Sequence, residues 1–231
     1  MDMINNWYTE YVPCFYARRL LDKLTQLNNN VTRPVDIDEI KKSIHYAKKY
    51  HGSQMRQSGE PYYSHPIEVA YMLAEYTEQH MPKYFRTDMI VIAILHDTIE
   101  DTDLTKDMIA YVFGNQVANQ VEALTRVKPD RKISSAEMVE RLYKEQRYEA
   151  LLIKLFDRLH NIQTISAKSP EKIKKIIEET ISKFIFLSVV LEATTVEKEL
   201  IEICYKHLLN LQEHQHKFPY QEYYQLPSLT L

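Results

Sequence analysis

The sequence predicts an all-α protein with a single helical core. Only three glycines occur among its 231 residues. Long runs rich in Leu, Ile, Lys and Glu place apolar residues at helical spacing through most of the chain. Few turn residues together with this spacing are typical of an all-α protein. The hydrophobic share of 45% is enough for one core. We therefore predict a single-domain helical bundle without a β-sheet.

The first third of the chain contains an arm, two helices and a polar loop. Residues 1–12 are predicted as an irregular arm, and a first helix follows from about residue 13 to 27. A second helix, capped by Asp36 or Asp38, ends near residue 50. Residues 51–64 combine glycine, proline and polar residues, which is typical of a binding loop on a helical scaffold.

An apolar run in the middle of the chain predicts a central buried helix. Residues 90–95 are all apolar and are followed directly by His96 and Asp97. A helix that is apolar on all sides belongs in the interior. If the helix continues, Glu100 lies four residues beyond His96 and Asp101 four beyond Asp97, so each pair shares a stripe. The predicted helix therefore ends in one imidazole and three carboxylates.

The remaining elements follow the same periodic pattern. Further helices are predicted from Pro66 as a first helical residue, from Thr105 to near Gly114, over 135–146, through the apolar run 151–157, and over 170–190 and 194–212. Residues 127–135 are predicted as a loop. We divide the chain into an N-terminal arm and helix (1–35), one globular unit (36–212) and a C-terminal tail (213–231).

Composition and charge narrow the class of protein. The net charge is −3, from 29 basic and 32 acidic residues, and this balance predicts no nucleic-acid partner. Cys14 and Cys204 lie far apart in sequence and are expected to be unpaired thiols in a reducing compartment. No transmembrane span or signal peptide is predicted, so we expect a cytoplasmic protein without a membrane partner. Oligomeric state is left open.

Two interpretations of the His96-Asp97 pair are open at this point. The helix could end in solvent with hydrated carboxylates, or the carboxylates could surround a cation, because buried carboxylates are normally paired or bound to one. His65 and Asp157 also lie at the edges of predicted apolar helices. Two imidazoles and two carboxylates suit Mn, Fe or Zn better than Mg or Ca. His160 is predicted to pack against the site without binding the metal. Six other histidines show no convergent spacing and are predicted at the surface: His45, His51, His80, His207, His214 and His216.

An ordered set of short motifs decides between the solvent-exposed helix end and the cation site. The set comprises Arg56, 58–62, 65–66, 69–70, 95–97, 100–102, 113–114, 153–155, 157–161, Thr164 and 179–180. Over roughly residues 40–190 it resembles the HD superfamily of metal-dependent phosphohydrolases. More closely, it is similar to the hydrolase domain of RelA/SpoT-type alarmone enzymes. The resemblance implies an HD-type helical bundle and favours the metal interpretation of the His96-Asp97 pair.

The resemblance also implies an activity and a role for individual residues. The family's hydrolase domain is Mn²⁺-dependent and removes pyrophosphate from the 3′ position of ppGpp and pppGpp, leaving GDP or GTP. His65, His96, Asp97 and Asp157 match the ligands of one Mn²⁺ ion. Glu100 and Asp101 match the acidic pair that positions and activates the attacking water. The matches to nucleotide and phosphate contacts are Arg56, Ser58, Asn161, Thr164 and Lys174 or Lys175.

Several departures from the family pattern keep other functions open. Gln57 replaces the usual basic residue after the arginine, and the 184–191 segment differs from the family's sequence. An HD phosphohydrolase acting on another nucleotide and a nucleotide-binding relative without activity are therefore alternatives. Because the chain ends at Leu231, without room for a synthetase domain, we expect a small stand-alone hydrolase.

Overall fold

The described part of the chain is helical. The computed structural model describes residues 7–126 and 131–216, with side chains through residue 211. Within these ranges the regular elements are helices, and the β features are single bridge residues, including the bridge between Met55 and Pro61. The all-α prediction is confirmed. Most of the predicted tail, the start of the predicted arm and residues 127–130 of the predicted loop lie outside the described residues. In the part that is described, no helix has the length and apolarity to cross a membrane.

The chain divides into two compact units, residues 1–164 and 165–231. The helices of the first unit are α1 (Trp7–Glu10), α2 (Phe15–Asn28), α3 (Ile37–His51), α4 (Ser64–His80), α5 (Thr87–Leu95), α6 (Thr98–Asp101), α7 (Lys106–Phe113), α8 (Asn115–Leu124), α9 (Ser135–Lys144) and α10 (Tyr148–Gln163). Those of the second unit are α11 (Pro170–Glu179), α12 (Ile185–Val190) and α13 (Thr194–His216). The 1–35, 36–212 and 213–231 division stays a prediction.

Helices α4, α5 and α10 form the centre of the first unit. Every residue from Met89 to Leu95 in α5 is buried, as the apolar run predicts. Helix α4 packs against α2, α5 and α10, and α3 packs against α5. Most of α10 is buried as well, including the charged residues Lys154, Asp157 and Arg158. The central helices therefore place polar side chains in the interior.

The prediction of one continuous helix through Asp101 is wrong. Helix α5 ends at Leu95, and the chain turns at His96 and Asp97 before α6 begins. The side chains cause this end, because His96 Nδ1 lies 2.7 Å from the Ala93 carbonyl and Thr98 Oγ1 donates to the Leu95 carbonyl at 2.7 Å. Polar side chains that occupy the last carbonyls compete with continuation of the helix. The acidic pair and the His96-Asp97 pair therefore belong to different elements.

A side-chain cap explains where α3 begins, and several other helix ends differ from the prediction. Asp36 caps α3 by accepting from the backbone N–H groups of Asp38 and Glu39, as predicted. Helix α4 begins at Ser64, so Pro66 is its third residue rather than its first. Residues 7–10 form the short helix α1 where an irregular arm is predicted. Helix α8 is missing from the sequence prediction, and both cysteines are free, as expected.

Candidate active site

Three buried side chains from different helices converge in the first unit. His65 is the second residue of α4, His96 follows α5 directly, and Asp157 lies within α10. One potential ligand atom of each lies within 4.8 Å of the other two. Convergence of two imidazoles and a carboxylate in the interior could hold a metal ion.

Asp97 lies beside both histidines. Its Oδ1 is 3.1 Å from His96 Nε2, and its Oδ2 is 3.7 Å from His65 Nε2. Asp157 Oδ1 is 3.1 Å from the same nitrogen of His65. The four residues predicted as metal ligands therefore lie together, which we call the His65–Asp157 cluster (His65, His96, Asp97 and Asp157).

The hydrogen bonds of the histidines leave one nitrogen of each facing the cluster. His96 Nδ1 donates to the Ala93 carbonyl. The buried Nε2 lies 3.1 Å from Asp97 Oδ1 but makes no well-aligned hydrogen bond within the described residues. His65 Nδ1 lies 2.7 Å from Nδ1 of His160. Burial lowers the pKa of His160 to about 3, so this ring is neutral and can accept a hydrogen bond from His65. Outer contacts of this kind fix the ring orientation of metal-binding histidines.

The carboxylates of the cluster favour a bound cation. Burial lowers the pKa of His96, but the carboxylates of Asp97 and Asp157 outweigh this effect and raise it to about 10. Burial raises the pKa of Asp157, yet the adjacent Lys154 ammonium and the two histidines hold it well below its usual range. Two carboxylates in the interior thus stabilise a positive charge at the position of His96 Nε2. A bound metal ion can supply that charge in place of a proton.

The two carboxylates of α6 have different surroundings. Glu100 accepts from the backbone and guanidinium of Arg126 at 2.7–3.2 Å and from Lys132 Nζ at 2.7 Å. Burial raises the pKa of Glu100, but these cations lower it overall. Asp101 instead accepts from the Tyr62 hydroxyl at 2.7 Å, and burial is the main cause that raises its pKa. Tyr62 Oη also lies 3.5 Å from Asp97 Oδ2, so Asp101 is linked to the cluster and Glu100 is linked to cations.

The positively charged side chain of Arg56 lies next to the cluster. Arg56 Nη2 donates to Asn161 Oδ1 at 3.3 Å and to Thr164 Oγ1 at 3.2 Å. Asn161 Nδ2 donates to Asp157 Oδ1 at 2.6 Å and so joins Arg56 to the cluster. Within the described residues no carboxylate pairs with Arg56. An arginine held by neutral oxygens keeps its charge available for an anion.

Comparison with known proteins assigns the family. A family model described as the HD domain matches residues 43–187. The chain belongs to the HD domain family. Guanosine-3′,5′-bis(diphosphate) 3′-pyrophosphohydrolase of Aquifex aeolicus is 37% identical over 178 residues, which are 76% of this chain and 25% of that protein. GTP pyrophosphokinase rsh of Brucella ovis is 36% identical over 181 residues, 75% of this chain and 23% of that protein. This HD domain chain thus spans about a quarter of the length of these curated relatives.

A solved structure shares the fold. It is described by the words "A metazoan ortholog of SpoT hydrolyzes ppGpp and plays a role in starvation responses". The match has a TM-score of 0.58 at 23% identity and covers 73% of this chain and 94% of that one. The curated relatives confirm the similarity to RelA/SpoT-type enzymes that the motifs indicate, and the solved structure shows the same fold.

The structure brings together most, but not all, of the predicted site residues of this HD domain. Arg56, Asn161 and Thr164 meet beside the cluster. Ser58 is exposed in the loop before α4. Lys174 and Lys175 are exposed on α11 in the second unit, and their contact with phosphates stays a prediction.

Three side chains that contact the acidic pair have no predicted role. Tyr62, Arg126 and Lys132 contact Asp101 or Glu100, and only Tyr62 lies in one of the family motifs.

His51 is predicted at the surface, which is wrong, because it is 2% exposed and stacks on Tyr62. Burial lowers the pKa of His51. The signal for this position is that His51 ends α3 immediately before the polar loop. Of the other histidines predicted at the surface, His80 is exposed, His45 and His207 are half-buried, and the His214 and His216 side chains lie outside the described residues.

Proposed function

We propose that this HD domain is a Mn²⁺-dependent hydrolase that removes pyrophosphate from the 3′ position of ppGpp and pppGpp. The observation that carries the proposal is the buried His65–Asp157 cluster joined through Asn161 to Arg56. The names of the relatives support the substrate. The position of Arg56 beside a cluster that could hold a metal ion also supports the proposal, because both kinds of group can stabilise charge during hydrolysis of a phosphate ester.

The residues of the cluster fit one divalent metal ion. His96 Nε2 is buried without a well-aligned hydrogen bond in the described part of the chain, as expected for a nitrogen that binds a metal. Two imidazoles and two carboxylates suit Mn, Fe or Zn, and the family resemblance favours Mn²⁺. When bound, such an ion lowers the pKa of a bound water and offsets phosphoryl charge.

We assign the proton-accepting role to Asp101. Its Oδ2 accepts from Tyr62, and its Oδ1 has no partner within the described residues. Both oxygens of Glu100 are already engaged by Arg126 and Lys132. A carboxylate must have a free oxygen close to the reacting water to take its proton. Glu100, predicted as the second member of the pair, then orients Arg126 and the start of the following loop.

The reaction balances with water as the only co-substrate. The bond between the ribose 3′ oxygen and the adjacent phosphorus breaks, and the water oxygen forms a new bond to that phosphorus. One water proton goes to Asp101 and returns to the 3′ oxygen, so that ppGpp yields GDP and pyrophosphate. Arg56 binds the charged 3′ group, and Asn161 and Thr164 hold Arg56 in place.

The test is pyrophosphate release from a panel of nucleotides with Mn²⁺ or with a chelator. The panel contains ppGpp, pppGpp, GTP, GDP and guanosine 3′-monophosphate. We expect release from ppGpp and pppGpp alone, and only with metal present. Faster turnover of another nucleotide would favour a different substrate for this HD domain. Nucleotide binding without any turnover would show a binding protein.

A further inference from the structure

Asp101 is held from two directions by one short stretch of chain. The Tyr62 hydroxyl donates to the carboxylate of Asp101 at 2.7 Å. The Gln54 side-chain amide donates to the backbone carbonyl of the same residue at 2.8 Å. Both contacts come from the turn between α3 and α4, far away in sequence. The position of Asp101 therefore depends on the shape of this turn.

The orientation of the Gln54 amide is determined by its partners. A carbonyl can only accept, so the nitrogen of the amide must face Asp101 and the oxygen must face the other way. That oxygen, Oε1, lies 2.9 Å from Nδ1 of His51. His51 Nδ1 consequently carries a proton and donates it to Gln54. A single chain of hydrogen bonds leads from His51 through Gln54 to Asp101.

The His51 ring also supports Tyr62 directly. The two rings stack with centroids 4.7 Å apart and planes inclined by 27°. Backbone bonds brace the same stretch, since Gln54 N donates to the His51 carbonyl at 3.0 Å and Tyr62 N donates to the Gln54 carbonyl at 2.8 Å. His51 thus contacts both residues that hold Asp101. Its remaining nitrogen, Nε2, is buried and has no hydrogen-bond partner in the described ranges.

From this geometry we infer that His51 and Gln54 are positioning residues that set Asp101 for proton transfer. The inference rests on the proposed function, in which Asp101 accepts the proton of the attacking water. Neither residue belongs to the His65–Asp157 cluster. They act through Asp101 and the ring of Tyr62, because a proton acceptor works only when its free oxygen lies within hydrogen-bond reach of the reacting water.

Two kinds of variant separate the contacts of His51. His51→Phe keeps a flat ring that can stack on Tyr62 but removes the donor to Gln54. His51→Asn places an amide nitrogen near the position of Nδ1 and keeps the donor. Gln54→Ala removes the link to Asp101 at an exposed position, where folding is little affected. His80→Phe is the matched control, because His80 is an exposed histidine at the end of α4.

The kinetic test measures kcat and KM for ppGpp together with bound Mn²⁺. We expect His51→Phe and Gln54→Ala to lower kcat by about 10- to 100-fold, with KM and metal content unchanged. His51→Asn should recover most of the loss, and His80→Phe should match the wild type. In an Asp101→Asn background, His51→Phe should cause no further loss of kcat. An equal further loss in that background, or loss of metal in His51→Phe, would overturn the inference.

A measurement that needs no activity tests the same chain of contacts. The side-chain amide protons of Gln54, assigned in NMR spectra by comparison with Gln54→Ala, should exchange slowly with solvent in the wild type. We expect fast exchange in His51→Phe and slow exchange in His51→Asn and His80→Phe. Unchanged protection in His51→Phe would contradict the inference. If the wild type does not hydrolyse ppGpp, the proposed function fails while this measurement still decides whether His51 holds Gln54.

Discussion

The His65–Asp157 cluster and the Arg56 group are neighbours with opposite physical character. Three of the four side chains of the cluster are buried, Asp97 is partly exposed, and the charges lie at short distances from one another. Arg56 is half-buried and comes from a loop, and in the described part of the chain its guanidinium donates to the neutral oxygens of Asn161 and Thr164. The first arrangement is preorganised for a small cation. The second leaves a positive charge free to bind an anion that enters from solvent, so chemistry and substrate binding should respond separately to mutation.

The largest effect should come from the cluster. Asp157→Ala removes a proposed metal ligand and leaves Lys154 without its carboxylate partner. We expect loss of bound metal and a fall in turnover of about 10³-fold or more, because metal catalysis contributes several kcal/mol. Elemental analysis and the pyrophosphate assay measure both. Asp103→Ala, an exposed aspartate beyond α6, is the control. Full metal occupancy in Asp157→Ala would exclude Asp157 as a ligand.

The next largest effect on turnover should come from the acidic pair, and it should differ between Glu100 and Asp101. Changing Glu100 to Gln and Asp101 to Asn together should lower turnover by about 10²–10⁴, the usual range for general acid–base catalysis. Asp101→Asn alone should account for most of this loss, since Glu100 is engaged by cations. Metal content should change little in either variant. Equal losses for Glu100→Gln and Asp101→Asn in kcat measurements would show that both carboxylates act on the water.

A smaller effect, and one of a different kind, is expected at Arg56. Arg56→Ala should raise KM for ppGpp by about 10- to 100-fold, because a hydrogen bond to a charged group contributes roughly 1.5–3 kcal/mol. Metal binding should stay intact, which separates this side of the site from the cluster. Arg33→Ala, an exposed arginine before α3, serves as the control. A loss of metal in Arg56→Ala would show that the two groups are not independent.

The smallest effect is expected in the second unit. If Lys174 contacts substrate phosphates, as the family resemblance implies, Lys174→Ala should raise KM only about two- to fivefold, since exposed ion pairs contribute little. Lys175→Ala is the matched comparison on the same helix, and only one of the two should have this effect. Steady-state kinetics at low and high salt would measure it. Equal KM values for both variants and the wild type would remove Lys174 from the site.

The sequence predicts the cluster better than it predicts the surroundings of the cluster. His65, His96, Asp97 and Asp157 lie at the ends of apolar runs or within them, which makes them candidates, and the ordered family motifs then select them as metal ligands. The break after Leu95 was not predicted, because it depends on His96 and Thr98 capping carbonyls. Such capping leaves no trace in the spacing of apolar residues.

The different surroundings of Glu100 and Asp101 could not be predicted either. They depend on Arg126, Lys132 and Tyr62, which are distant in sequence and meet the acidic pair only in the folded chain. Burial of His51 depends likewise on the ring of Tyr62. Neighbouring identical charges look equivalent in a sequence, and tertiary contacts make them different.

The end of α5 at Leu95 also gives the cluster an electrostatic contribution from the backbone. The aligned peptide dipoles of a helix place about half a negative charge at its C-terminus, and this helix ends directly at His96. A cation beside such an end gains roughly 0.3–1 kcal/mol, and up to about 2 kcal/mol where water is partly excluded. The main chain of α5, the most apolar helix in the described ranges, should therefore add to the attraction of the cluster for a cation.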